Sequence, residues 1–171
     1  MAKTTDNNQA YDRCSATGDK VSWVETEAQS EGPVIMLHSH FSGNGKVEPH
    51  QRWSTGFLVD SSSLGGGNLF MRNRGSMGTG HGWTIGWSVP WNNTANNFLV
   101  QNPPDVFNWS IGDTGNQDTA PMPVDRGAPK GDLLPSGIIE SSGRPVQPLS
   151  PYLEQLRDRL EPRAVAAFGY R

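Results

Sequence analysis

The densest grouping of reactive side chains is EPHQRWSTG, residues 48–56. An imidazole (His50), a guanidinium (Arg52) and an indole (Trp53) fall within four positions, directly before an apolar run. Such a grouping can bind a metal, act on a substrate or pin a strand corner. A histidine beside an arginine also suits β-elimination from a uronate. The imidazole takes the proton alpha to the carboxylate while the guanidinium neutralises its charge. A second cluster, MRNRGSMGTGHGWTIGW at 71–87, brackets a glycine-rich turn with Arg72, Arg74 and His81. The candidate catalytic set is therefore His50, Arg52, Arg74 and His81. Trp83, Trp87, Arg72 and Asn73 are candidates for binding a substrate, because indole faces stack on sugar rings and guanidinium forks grip carboxylates. The same arginines could form structural ion pairs with Glu48 or Asp60, and residue types alone leave both readings open.

Other chemistries find less support. The pair His38 and His40 in HSH would point the same way on a strand and could share a metal. With Glu48 and either His50 or His81 it suggests a cupin-like, metal-dependent enzyme. Seven residues separate His40 from Glu48, however, a wider gap than that ligand set uses. No second cysteine or well-placed acid completes a transition-metal site, so no metal residues are assigned. The glycines at 75, 78, 80 and 82 match neither a dinucleotide fingerprint nor a phosphate loop. They suit tight turns and close backbone approach. No nucleophile elbow of the G-x-S-x-G type is present. A glycosidase would need two facing acids; Glu48, Asp60 and Asp105 are available, but sequence cannot pair them.

Something must position these residues, and composition bounds what. The 171 residues suffice for one domain with a core. Only 34% are hydrophobic, against 20 glycines and 13 prolines, which is too loop-rich for a helix bundle. Net charge is −3, so no general nucleic-acid footprint is expected, although a local basic cleft needs no basic protein. The single cysteine, Cys14, rules out an internal disulfide. No apolar run reaches membrane-spanning length, so no membrane partner is expected, and the first residues lack the apolar core of a signal peptide.

Short apolar runs at 21–24, 34–37, 57–59, 69–71, 83–87, 98–100 and 109–111 are each bounded by turn residues, which reads as strands. Val34–Leu37 leads to Phe57–Val59 after about 23 residues, and Leu69–Met71 to Phe98–Val100 after 29. Trp23, Trp53 and Trp83 stand 30 apart. A loose period without intervening helices predicts a short solenoid of parallel β coils, with Trp53 packed against neighbouring rungs. A sandwich or cupin-like barrel is the competing architecture, and GNGK at 43–46 would be its hairpin turn.

The organisation expected is a flexible segment over 1–19, coils over 20–112, an extended Pro/Gly-rich strap over 113–149, and a C-terminal helix within 150–171. Ser150 is placed as N-cap, Pro151 at the first helical position, and Pro162 as a stop or bend. The stripe of Leu153, Leu156 and Leu160 would pack on the coils or cap one end of them.

Four blocks in order carry a family resemblance: PHQRWSTGFLVD, NRGSMGTGHGWTIGWSVPWN, FLVQNPP and NWSIG. Together with the late SPYLEQLRDRL segment they resemble the C-terminal coils of secreted right-handed parallel β-helix proteins of the pectin-lyase-like class. The similarity spans roughly residues 20–165. Glu48 stands where the family block begins with glycine, Ser54 where it has alanine, and Ser61 where it has asparagine. About four coils are expected, fewer than in such proteins, so the chain reads as a domain-sized piece.

The resemblance implies an all-β fold, a right-handed parallel β-helix with a C-terminal capping helix, and an extracellular location. It also implies a carbohydrate-active protein acting on an acidic polysaccharide, with lyase-type β-elimination as its chemistry. A non-catalytic glycan-binding or structural coil module is the alternative, because the class includes both. The partner expected is a polysaccharide or glycan, with self-association through open coil ends as a further contact. No cofactor is firmly implied. Calcium is admitted, since several such lyases use it, but no dense acidic ligand cluster is present.

Overall fold

The structure is a computed structural model that describes residues 2–4, 9–119 and 133–170. The chain coils into a parallel β-solenoid of about 5 turns. The first turns contribute β1 (Ala2–Thr4), β2 (Gln9–Asp12), β3 (Ser15–Thr17), β4 (Ser22–Thr26), β5 (Val34–Leu37) and β6 (His40–Ser42). The middle holds β7 (Lys46–Val47), β8 (Ser54–Thr55), β9 (Phe57–Asp60), β10 (Asn68–Met71) and β11 (Ile85–Gly86). Then come β12 (Val89–Trp91), β13 (Thr94–Val100), β14 (Trp109–Ile111), β15 (Thr114–Gln117) and β16 (Ile138–Glu140).

Two long sheets form the walls. One stacks β1-β4-β7-β10-β13-β15 and the other β16-β14-β12-β9-β5-β2. The pairs β3-β6 and β8-β11 fill the corners, and every ladder between these strands is parallel; two isolated bridges, Asn73 with Trp83 and Gln101 with Ser136, are antiparallel. This excludes the sandwich and the cupin-like barrel, which need antiparallel neighbours. The residues of GNGK form a corner between β6 and β7 and not a hairpin.

Alternation along each strand decides what lies inside. In the first sheet Val24, Val47, Leu69 and Phe98 stack in register toward the core. Their neighbours Asn68, Asn97 and Asn116 stack outward, with Asn97 Nδ2 donating to Asn68 Oδ1 at 2.8 Å. In the second sheet Val34 pairs with Phe57 and Met36 with Val59, all four buried. The two runs spaced by 23 and 29 residues are thus true register partners.

The tryptophan rhythm has a different origin. Registered partners stand as close as 19 residues (Asn97 and Asn116) and as far apart as 31 (Leu58 and Val89), so no fixed period exists. Trp23 is buried and stacks on Phe41 with ring centroids 5.2 Å apart. Trp53 and Trp83 lie on adjacent turns, joined by Trp53 N–H donating to the Trp83 carbonyl. Trp53, expected to pack against neighbouring rungs, meets Trp87 on the next turn, but on the outside, where it is 39% exposed. Its neighbour Ser54 takes the inward position instead, bonding the Thr26 hydroxyl at 2.6 Å.

One interior corner is polar and carries a ladder of side chains. The Ser39, Ser62, Asn93 and Asp113 side chains each accept from the backbone N–H of the counterpart one turn earlier: Cys14, Ser39, Ser62 and Asn93. Each bond satisfies an N–H that the corner geometry removes from the sheet.

The segment 1–19, expected to be flexible, supplies β1, β2 and β3, each paired to the next turn. Pairing to a following coil outweighs its polar composition. The strap also contributes strands, since β15 and β16 extend the two walls, while its residues 120–132 lie outside the described residues. The C-terminal region forms two helices, α1 (Pro151–Leu160) and α2 (Pro162–Ala167), separated at Glu161 ahead of Pro162. Ser150 caps α1, its Oγ accepting from Leu153 N–H at 3.2 Å. Leu153 and Val165 pack on the outer side of the second wall, against Ile35 and Leu37. The helices therefore cover the coils from the side.

Candidate functional site

The site lies at the corner that follows β4 and β7. Lys46 ends up outside the wall, and two residues later Glu48 is buried beneath it. Glu48 is almost completely buried, ion-paired with Lys46 and with Arg72, whose Nε donates at 2.6 Å. Arg74 Nη1 stands 3.9 Å away. Burial alone would raise the Glu48 carboxyl, but Arg72, Lys46 and Arg74 outweigh it and hold the group below the usual carboxylate range.

His50 follows, its N–H bonded to the Thr26 carbonyl one turn earlier. That register sets His50 Nδ1 3.0 Å from Glu25 Oε2. Glu25 is only 5% exposed, while the His50 ring reaches the surface. The His81 ring lies against that of His50, with centroids 4.8 Å apart and planes tilted by 45°. Burial is the first cause that pushes His81 below its ordinary value, followed by the electrostatic influence of Arg74, His50 and Arg52, with Glu48 opposing.

The arginines are held in different ways. Arg74 Nη1 donates to the His50 carbonyl at 2.8 Å, fixing the backbone of the histidine. Arg52 clasps the glycine-rich turn, with Nη2 donating to the Thr79 carbonyl at 2.9 Å and Nε to the Gly80 carbonyl at 3.4 Å. The turn at 77–80 is short and irregular: Gly78 has φ 61°, and a Cβ there would overlap His81 Nε2. Glycine at 78 is what lets His81 lie against His50.

The four residues expected to be catalytic therefore meet at one corner. His50 and His81 touch, Arg74 holds the His50 backbone, and Arg52 holds the turn that leads to His81. Of the arginines weighed between ligand and ion pair, Arg72 is in an ion pair with Glu48. Asp60 meets no arginine among the described contacts; it accepts from Ser150, Tyr152 and Ser61. His38 lies elsewhere, edge-on to Tyr170. Among the described residues no three of His, Cys, Asp and Glu are grouped as for an ion. The set of His38, His40 and Glu48 is consequently not assembled.

Beside this corner runs an aromatic face. Trp53, Trp87 and Phe107 sit on three consecutive turns, as the bonds from Gly56 N–H to Gly86 and from Trp87 N–H to Phe107 fix. They are 39%, 50% and 50% exposed. The Trp53 and Trp87 rings meet edge to face, and Phe107 continues to Trp109 at 6.2 Å. Trp83 is half-buried and, with Asn73, Pro103, Val106 and Phe107, lines an apolar groove of about 700 Å³.

Sequence reasoning missed Glu25, Trp53 and Phe107 as site residues. Glu25 stands 25 residues before His50, on the preceding turn, and no fixed spacing pointed to it. No protein-family model, no curated protein and no solved structure matches this chain.

Proposed function

We propose that the chain is a carbohydrate-active solenoid that binds an extended glycan along its aromatic face. The observation that carries this reading is the row of Trp53, Trp87 and Phe107, exposed on consecutive turns. Large aromatic side chains are normally covered, and three in one row form an apolar strip that water solvates poorly. Strand spacing makes the row about 10 Å long, enough to engage successive sugar rings through their apolar faces. Lys46, Arg52, Arg72 and Arg74 gather beside it, and with Glu25 and Glu48 they leave the corner positive in a chain of net charge −3. That imbalance favours an acidic polysaccharide. Binding to a panel of immobilised uronate and neutral polysaccharides tests this. Saturable retention on uronates, weakened at least tenfold in Trp87→Ala, is expected; no retention on any polymer ends the reading.

A second reading, lyase-type β-elimination on the same polymer, draws on a separate observation: His50 is hydrogen-bonded to a buried carboxylate and still reaches the surface. His50 would take the proton alpha to the uronate carboxylate. The electron pair would form the new C=C bond, and the glycosidic oxygen would leave with a proton from the medium. Arg52, the most exposed arginine of the corner, would neutralise the carboxylate. The expected result is new ultraviolet absorbance from the unsaturated product, absent in His50→Ala. Unchanged absorbance across several uronates, with and without calcium, removes this reading and leaves glycan binding standing.

A further inference from the structure

The partner of His50 has a consequence for which ring nitrogen can act. Glu25 lies in β4 with its side chain inside the corner, and it reaches His50 Nδ1 through Oε2 at 3.0 Å. An ionised carboxylate only accepts hydrogen bonds, so wherever Glu25 carries its charge the proton at this contact sits on the imidazole. With Nδ1 protonated, the neutral ring carries its lone pair on Nε2. The backbone bond from His50 N–H to the Thr26 carbonyl and the Arg74 bond to the His50 carbonyl fix the residue on both sides. His81 closes one face of the ring. The histidine thus has a defined position.

We propose that Glu25 is a positioning residue. It locks His50 as the Nδ1–H tautomer, so that Nε2 is the nitrogen offered to a proton on a bound ligand. This rests on the reading of His50 as a base. The arrangement follows the general logic by which a buried carboxylate sets the tautomer of a catalytic imidazole. It needs no charge on His50 and no movement of the corner.

The test is the nitrogen NMR spectrum of His50, assigned by its loss in His50→Ala. Wild-type protein above the pH of imidazole titration should show a protonated Nδ1 and an unprotonated Nε2. In Glu25→Ala the two tautomers should mix, and if the protein turns over uronates, kcat should fall on the order of 10³-fold with KM within about threefold. A wild-type spectrum dominated by the Nε2–H form overturns the proposal, and this outcome does not depend on any variant folding. An unchanged tautomer in a folded Glu25→Ala protein also overturns it. Absence of turnover with the expected wild-type tautomer is a different result: it removes the reaction and leaves the hold of Glu25 on His50 intact.

Discussion

The Trp53 and Trp87 rings meet edge to face across two turns of the solenoid, with centroids 6.4 Å apart and planes at 75°. Each ring therefore supports the other while both keep a face in solvent. Such a pair contributes about 1 kcal/mol beyond the area it covers. Trp87→Ala should accordingly cost only about 1–2 kcal/mol of stability in a denaturant titration, because the ring is half in water. Glycan retention should fall much more, and Trp53→Ala should fall with it. Equal losses of stability and retention would mean that the row is packing and not a binding face.

Gly78 tests whether the two histidines must touch. Its φ of 61° strains any side chain, and a Cβ would overlap His81 Nε2. Gly80 shares the positive φ, at 79°, but a Cβ there meets nothing within 4 Å. Both alanine variants carry the backbone cost of about 1–3 kcal/mol. Only Gly78→Ala should also displace the His81 ring, read as changed His50 and His81 imidazole shifts in NMR. Identical imidazole spectra in the two variants would show that the ring does not depend on the bare glycine.

Asp113 gives the ladder corner a pH dependence. Burial, its largest influence, pushes the carboxyl from 3.8 to about 6, despite donors from the Asn93 backbone, the Ser110 hydroxyl and the Asn93 amide. A folded-state value above the unfolded one means that the folded protein binds the proton more tightly. The resulting stability is fully present below pH 3.8 and is lost as pH rises through about 6. Asp113→Asn keeps an acceptor for Asn93 and removes the buried charge. The variant should gain up to about 3 kcal/mol over wild type at pH 7.5, and the gap should close near pH 4. Denaturant midpoints at the two pH values measure it. A variant less stable than wild type at pH 7.5 would refute the assignment.

The solenoid was legible because inward residues repeat once per turn, and the pairs Val34 with Phe57 and Leu69 with Phe98 are close enough in spacing to be recognised. The strand character of residues 9–17 was not, since Gln9, Ala10 and Ser15 look polar or small and owe their structure to ladders with the next turn. The corner of the site was partly readable. His50, Arg52, Arg74 and His81 are marked by residue type, and the structure brings them together. Glu25 was hidden because parallel coils join residues a full turn apart, and turn length here varies too much to predict partners. That Trp53 makes its contact with the next turn, through Trp87, from the outside was hidden for a related reason. Which of two adjacent residues points inward at a corner depends on local backbone, and at 53 and 54 the smaller serine takes the inside.

A buried carboxylate joins the start of the helices to the solenoid, beside the apolar packing of Leu153 and Val165 on Ile35 and Leu37 and the bonds from Tyr170 to Asp12 and from Arg13 to the Phe168 carbonyl. Asp60 at the end of β9 accepts from the Ser150 hydroxyl at 2.7 Å and from Tyr152 N–H at 3.1 Å. The same Ser150 oxygen caps α1 through Leu153 N–H. One hydroxyl thus both starts the helix and joins it to the second wall. Burial raises the Asp60 carboxyl above its ordinary value even with these donors, so losing one leaves a costly group. Ser150→Ala removes the cap, worth about 1 kcal/mol, and one of the donors to the buried acid, worth about 1–3 kcal/mol. The core ladders of β5 and β9 do not involve Ser150. Hydrogen exchange should therefore accelerate across 151–167 by tenfold or more, while amides of 34–37 and 57–60 keep most of their protection. Uniform acceleration in both regions would show that the helices and coils unfold as one unit. Ser150→Thr, which keeps the hydroxyl, should restore most of the protection.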